Sequence, residues 1–175
     1  MPRGPNSALV IDAARTGPAS APEPALKLEA FLPYRLNVLA SLVSQALSRV
    51  YAERYGIGVP EWRVLVTLGE HRTMTAKAIG AHSHMHKTTV SRAVALLERR
   101  KLVGRRANRD DMREALLSLT PAGRAMYDEL VPIALDFTRR LVATLDASDH
   151  RAFERTVTAL IKRSTELAAE LGSQT

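Results

Sequence analysis

The chain has 175 residues, of which 46% are hydrophobic, and its 25 Lys and Arg against 18 Asp and Glu give a formal net charge of +7. This length allows one domain or one domain with an extension, and the positive charge favours a polyanionic partner, either nucleic acid or a membrane surface. The absence of cysteine excludes disulfides, thiolate metal sites and thiol-based redox sensing.

The hydropathy pattern and the N-terminal region carry no signal for a membrane. No stretch of about 18 apolar residues occurs, so the sequence predicts no bilayer span. The first residues lack the basic segment and apolar core of a secretory signal, so we expect a cytoplasmic protein without a membrane partner. Residues 1–24 contain five of the nine prolines, and this composition predicts a disordered tail.

Three helices are predicted after the tail. A long helix runs from near Pro33 to just before Gly56, because proline suits the first turn of a helix. A second helix is predicted at residues 60–69, and a third, short one at residues 75–81. Apolar residues repeat along the first helix with 4-3-4-4-3 spacing: Leu32, Leu36, Leu39, Val43, Leu47 and Val50.

The next predicted helix, residues 86–100, is amphipathic. Val90, Val94 and Leu97 form one apolar stripe at i, i+4 and i+7. At about 100° per residue, the other face presents small and basic side chains: Thr88, Thr89, Ser91, Arg92, Ala95 and Arg99. Hydroxyl and guanidinium groups on one helix face can hydrogen-bond base edges and phosphates in a major groove.

A basic β-hairpin is predicted after this helix, with its tip near residues 108–112. Its first strand contains Val103, and its second alternates Ala115, Leu117 and Leu119 with other residues. Four arginines lie on it: Arg105, Arg106, Arg109 and Arg113. From His82 to Arg109 there are eight Lys or Arg and one carboxylate, Glu98. Solvated faces usually mix both signs, so we favour a polyanion-binding surface over a merely solvated helix and hairpin.

Two long helices are predicted at the C-terminal end. Thr120 and Pro121 suit the N-cap and first position of a helix that runs to about Thr144. A last helix is predicted after Asp146, which suits the N-cap, and Asp149, whose charge is favourable near the positive N-terminal end of the helix dipole. Residues on one face of this helix repeat with 4-3-4-3-4 spacing and form a seam like that of a coiled coil, which is apolar except for one serine: Phe153, Val157, Leu160, Ser164, Leu167 and Leu171.

Together these elements predict a mainly α fold with a small β-hairpin wing. A winged helix-turn-helix at residues 59–120 is flanked by an N-terminal dimerisation helix at 25–58 and C-terminal dimerisation helices at 121–175. One small domain cannot cover the apolar stripes of the long helices, which favours a two-fold symmetric homodimer over an intramolecular bundle. Such a dimer would present two recognition helices to a pseudo-palindromic site with half-sites about one helical turn apart.

Three segments at this spacing resemble the MarR family of bacterial transcription regulators. They are PEWRVLVTLGE at 60–70, KTTVSRAVALLERRKLV at 87–103 and RDDMREALLSLTPAG at 109–123. The resemblance covers residues from about 32 to 171. It implies a triangular homodimer that binds an operator and is released by a small ligand, held in a cleft between the dimer helices and the winged domain.

The resemblance also implies roles for particular residues. Asp111 and Arg113 resemble an aspartate–arginine pair at the wing tip of the family. Such an arginine is suited to a narrow minor groove, and the aspartate would hold it in position. Asn108 stands where many members have Asp, which keeps the turn geometry but removes a charge. The recognition pattern matches Lys87, Thr88, Thr89, Ser91 and Arg92. Sequence-independent attraction is expected from Lys87, Arg99, Arg105 and Arg106, and Arg109 completes the predicted DNA-binding set.

The resemblance places Tyr34, Arg35 and Trp62 near the ligand cleft. A guanidinium beside aromatic rings suits an aromatic carboxylate or another planar anion. The stretches FLPYRLNVLA and PEWRVL are similar to those of members that sense aromatic acids or their coenzyme A thioesters. The alternative is that Trp62 belongs to the core and Arg35 forms a surface ion pair.

Three histidines, His82, His84 and His86, lie between the third and fourth predicted helices. Alternate positions in a turn lack the i, i+4 geometry of a helical metal pair, and no Cys or acidic ligand is close in sequence. We therefore expect neither a metal nor a cofactor. We expect polar turn residues near phosphate, with His86 at the start of the recognition helix.

These features predict a homodimeric, ligand-responsive transcriptional regulator, expected to act as a repressor. The alternative is an architectural protein that binds DNA without sequence preference and without a ligand. An enzyme is not expected, since the sequence shows no nucleophile–base pair, no Gly-rich phosphate loop and no carboxylate–histidine cluster.

Overall fold

The computed structural model describes residues 26–109 and 111–173, so the predicted tail at residues 1–24 lies outside the described residues. The chain divides into two structural units, with the boundary after Ala40. The described part of the first unit, residues 26–40, holds a 3-10 turn at Leu28–Ala30 and the beginning of the first helix. The second unit carries the remaining elements.

The described residues contain six α-helices and three β-strands. The helices are α1 (Leu32–Tyr55), α2 (Val59–His71), α3 (Ala76–Ser83), α4 (Lys87–Arg99), α5 (Pro121–Val142) and α6 (Ala147–Gly172). The strands are β1 (Thr73–Thr75), β2 (Val103–Ala107) and β3 (Ala115–Leu119). The bounds of α1 and α4 match the predictions to within one residue, whereas α5 ends two residues before the predicted Thr144. The predicted fold class, mainly helical with a small β wing, is confirmed.

Helix α2 continues to His71, past Gly69, where the prediction ended it. A Cβ atom at position 69 would lie 2.1 Å from Cε2 of Tyr127 on α5. Glycine is therefore required here by the close approach of the neighbouring aromatic ring, and it does not end the helix. The third helix also differs from its prediction, because Thr75 caps α3 instead of starting it and the helix extends to Ser83.

Side-chain caps begin the helices that frame the wing and the C-terminal region. The hydroxyl of Thr120 accepts a hydrogen bond from the N–H of Gly123 at 3.0 Å, which confirms the predicted N-cap of α5. The carboxylate of Asp146 accepts one from the N–H of Asp149 at 2.8 Å and caps α6, also as predicted. Each such cap contributes about 1 kcal/mol to stability.

The hydrophobic core lies in the second unit and surrounds α2, α4 and the sheet. The apolar stripe predicted on α4, Val90, Val94 and Leu97, is buried in it, together with Ala93. The largest fully buried side chains are Tyr51, Ile57, Leu65, Leu68, Ile79, Leu97, Leu117 and Leu130. This burial orients α4, because its apolar face is held inside while the opposite face remains in solvent.

The sheet has three antiparallel strands in the order β1-β3-β2. The sequence predicted only β2 and β3. Strand β1 is too short for an alternation pattern, and it forms because its residues pair with β3, Met74 opposite Leu117. In the hairpin Arg105 also lies opposite Leu117, which defines the register of β2 against β3.

Several long helices expose apolar side chains. Within the described span of α6, Ala147–Gly172, no residue is buried. Phe153 and Leu167 of the predicted seam are exposed, as are Leu36 and Leu39 in α1. Large exposed apolar side chains that follow one helix face are candidates for contact with a partner. None of the described helices is both long and apolar enough to cross a membrane.

Candidate nucleic-acid interface

The N-terminus of α4 is fixed by a local hydrogen-bond network. His86 is the N-cap, and its Nδ1 accepts a hydrogen bond from the backbone N–H of Thr88 at 3.4 Å. The hydroxyl of Thr88 lies 2.9 Å from the same nitrogen. Because a backbone N–H only donates, Nδ1 is the acceptor and the Thr88 hydroxyl donates to it. The prediction that His86 starts this helix is confirmed.

The face of α4 that the sequence predicted for DNA is in solvent. Lys87, Thr88, Ser91, Arg92 and Arg99 are exposed, and Thr89 is half-buried at the edge of the core. Residues 26–109 and 111–173 contain no ion-pair partner for Arg92 or Arg99. These guanidinium groups therefore keep their full charge and hydrogen-bonding capacity for a polyanion.

Arg105 is paired with a carboxylate, a contact that the sequence did not indicate. Its Nε donates to Oε1 of Glu98 on α4 at 2.8 Å, and its Nη2 donates to Oε2 at 3.1 Å. The hydrogen bonds and charge of Glu98 raise the pKa of Arg105 above its usual value. This two-pronged bond ties the wing to the recognition helix. Its contribution to nonspecific DNA attraction stays a prediction, and its charge is offset by Glu98.

The remaining wing arginines, Arg106, Arg109 and Arg113, are exposed. The carboxylate of Asp111 accepts a hydrogen bond from the backbone N–H of Arg113 at 2.9 Å. The described part of the wing thus joins Asp111 to the main chain of Arg113, and the bracing of the Arg113 side chain by Asp111 stays a prediction. Asn108 is buried at the base of the turn.

A concavity of about 620 Å³ lies between α3, α4 and the wing. Four cationic side chains line it, from all three elements, against one carboxylate, Glu114: Lys77, Lys87, Arg105 and Arg113. It brings together predicted residues that are up to 26 positions apart along the chain. Lys77, an exposed residue in the first turn of α3, could not be recognised from the sequence because a single lysine carries no pattern.

The three predicted ligand residues fall in different units of the structure. Tyr34 and Arg35 lie in the first unit, early in α1, and both are exposed. Trp62 lies in the second unit, in α2, where its ring stacks on Tyr51 with centroids 5.4 Å apart and planes 14° apart. Burial raises the pKa of the Tyr51 hydroxyl. Trp62 is half-buried and packs against the core. The described residues hold no ion pair of Arg35, so the assignment of these three residues to a ligand site stays a prediction.

The structure also corrects the expectation that no carboxylate–histidine cluster exists. Glu70 and His71, at the end of α2, lie beside His82 of α3. The acidic neighbour of His82 is twelve residues away in sequence, so a search for nearby ligands could not find it. His84 takes a left-handed conformation (φ 51°) and ends α3.

The architecture and the basic surface define the class of the protein. Helices α2, α3 and α4 pack together, the last one presents a basic face, and an antiparallel hairpin follows as a wing. This is the arrangement of winged helix-turn-helix, DNA-binding transcriptional regulators.

The chain belongs to the MarR family of this class. The MarR family pattern matches residues 55–114. The chain is 30% identical over 122 residues to the HTH-type transcriptional regulator YwoH of Bacillus subtilis (strain 168), over 70% of this chain and 88% of that protein. The recognised family and the fold both define transcriptional regulators, so the protein is not an enzyme.

Solved structures share the fold. A MarR-family transcriptional regulator from Silicibacter pomeroyi DSS is 25% identical, with 78% of this chain and 91% of that chain covered and a TM-score of 0.68. The MepR–DNA complex of S. aureus is 21% identical, with 76% and 98% covered and a TM-score of 0.69. The second likeness supports the fold alone.

Proposed function

We propose that the protein is a homodimeric repressor that binds a pseudo-palindromic operator in the cytoplasm and is released by a small aromatic or anionic ligand. The observation that carries the DNA-binding part is the exposed, uncompensated cationic face of α4, held outward by its buried stripe. MepR, which has the same fold, has been crystallised with DNA. In this proposal residues 59–120 contact DNA and the segments 25–58 and 121–175 dimerise.

The proposed contacts divide into base readout and backbone attraction. Arg92 reads a guanine or clamps a phosphate from within the major groove, while Thr88, Thr89 and Ser91 set the register of α4. Arg113 enters the adjacent minor groove. The remaining cations attract the phosphate backbone irrespective of sequence: Lys77, Lys87, Arg99, Arg106 and Arg109.

The proposed dimer would cover the exposed apolar side chains of the long helices. No residue of the 26-residue helix α6 is fully buried in the single chain, whereas helix stability in proteins comes mainly from packing of an apolar face. Two copies related by a two-fold axis can bury equivalent seams against each other. A two-fold dimer is also what a pseudo-palindromic operator requires.

The effector part of the proposal is based on the chemistry of Tyr34, Arg35 and Trp62. A guanidinium and aromatic rings suit a planar anion such as an aromatic acid or its coenzyme A thioester. Such a ligand must prefer the conformation that does not bind DNA. A 100-fold loss of operator affinity corresponds to about 2.7 kcal/mol of preference.

Titration of the protein with the DNA upstream of its own gene tests the proposed function. We expect binding at least about 10³-fold tighter than to random DNA of the same length, in the same salt. Aromatic acids and their coenzyme A thioesters are then added to the complex, and one of them should release the DNA. Equal, steeply salt-dependent binding to both DNAs would instead establish the architectural alternative.

Replacing Arg92 by Ala should lower affinity for the preferred operator by about 1–3 kcal/mol and flatten its base preference, because a charged side chain on the outward face of α4 is lost. The matched control is Arg106→Ala, which removes an equally exposed guanidinium from the wing. That control should weaken binding to all DNA alike and reduce the slope of log affinity against log salt by about one. Unchanged base preference in the Arg92 variant would disprove the assignment of α4 as recognition helix.

A further inference from the structure

A group of three potential metal ligands lies where the end of α2 meets α3. Nε2 of His71 is 3.7 Å from one carboxylate oxygen of Glu70, and Nε2 of His82 is 3.8 Å from the other. The three ligand atoms all lie within 4.8 Å of one another. The two imidazole rings meet edge to face, with centroids 4.6 Å apart and planes 82° apart.

We propose that Glu70, His71 and His82 bind a divalent transition-metal ion, with Zn²⁺ as the preferred ion. Zinc bonds of about 2.0–2.2 Å in a tetrahedral site place two ligand atoms about 3.4 Å apart. The two histidine–carboxylate separations, 3.7 and 3.8 Å, are a few tenths of an ångström above this value, and all three ligand atoms lie within 4.8 Å of one another. Rotation of these exposed side chains would bring the three ligand atoms to one ion. Two imidazoles and a carboxylate form a ligand set that zinc accepts, and the protein has no thiolate to compete.

The separations of 3.7 and 3.8 Å are too long for a hydrogen bond. Neither imidazole is therefore held to the carboxylate by a direct bond, and a shared ion would supply the link between the three side chains.

The site is accessible and leaves room for a fourth ligand. The side chains of His71, His82 and Glu70 are 37%, 43% and 60% exposed. Water therefore completes the coordination, and the ion can exchange with solvent. An ion bound here would join the end of α2 to α3 across strand β1, and so would restrain the helix that precedes the recognition helix.

The test is calorimetric titration of Zn²⁺ into the full-length chain, expressed without a polyhistidine tag and stripped with a chelator. We expect one ion per chain, and tetrahedral coordination read from the visible spectrum with Co²⁺ in its place. The variants His71→Gln and His82→Gln should each weaken binding on the order of 10-fold or more. The matched control His150→Gln, which removes an exposed histidine paired with one glutamate only, should leave binding unchanged.

Thermal unfolding supplies a second measurement that does not involve DNA. A ligand that binds the folded state raises the melting temperature, so Zn²⁺ should raise it in the natural protein and in His150→Gln but not in His82→Gln. Circular dichroism of the metal-free variants confirms their folding, since the replaced side chains are exposed. No binding by the natural protein, or equal binding by His82→Gln, overturns the proposal whether or not the protein binds an operator.

Discussion

Replacing Leu167 by Glu is expected to convert the proposed dimer into a monomer and to weaken operator binding by about 10²–10⁴-fold. Leu167 lies on the predicted seam of α6 and is exposed in the single chain. A carboxylate there would be buried without a partner in a two-fold interface, twice per dimer. The affinity loss follows because two linked half-site contacts become two separate ones.

The control for this prediction is Ala169→Glu in the same helix. Position 169 is exposed and lies on the opposite face of α6, about 160° from the seam at 100° per residue. Both variants add one carboxylate near the same helix end, so their effects on the helix itself should be similar. Sedimentation should show a monomer only for Leu167→Glu. A dimer in that variant would exclude the α6 seam as the interface.

The recognition helix and wing were predictable because their signals are local. The stripe of α4 repeats at helical spacing, and the cap at Thr120 is followed directly by a proline. Their burial and capping in the structure agree with the sequence. Such elements depend on residues within one or two helical turns, and the sequence displays these directly.

The missed features depend on contacts between distant segments. Strand β1 forms because β3 supplies its hydrogen-bonding partners. Position 69 requires a glycine because the ring of Tyr127 packs against its backbone. The bond from Arg105 to Glu98 needs the register of the hairpin against α4, which neither segment specifies alone. The cluster at His82 likewise needs the packing of α3 on the end of α2. Sequence periodicity carries no information about which faces meet.

The junction between the recognition helix and the C-terminal region depends on one glycine. Gly123 is buried in the first turn of α5, and a Cβ atom on it would lie 1.9 Å from the backbone oxygen of Leu102. That oxygen already accepts a hydrogen bond from the N–H of Thr120 at 3.0 Å. The hydroxyl of Thr120 donates to the oxygen of Lys101 at 2.7 Å. The backbone between α4 and the wing is thus held directly against the start of α5.

Gly123→Ala should therefore destabilise the fold by about 3 kcal/mol or more, at the upper end of overpacking effects. The collision is with main chain, so rotation of a side chain cannot relieve it, and any backbone shift weakens the Thr120 cap. Gly104→Ala is the matched control, since the nearest atom to its added Cβ is 3.8 Å away. Urea unfolding at one fixed protein concentration measures both variants, because the stability of a dimer depends on concentration. Equal stability of the two variants would mean that α5 can move away from Leu102, and that this contact does not hold the backbone between α4 and the wing against the start of α5.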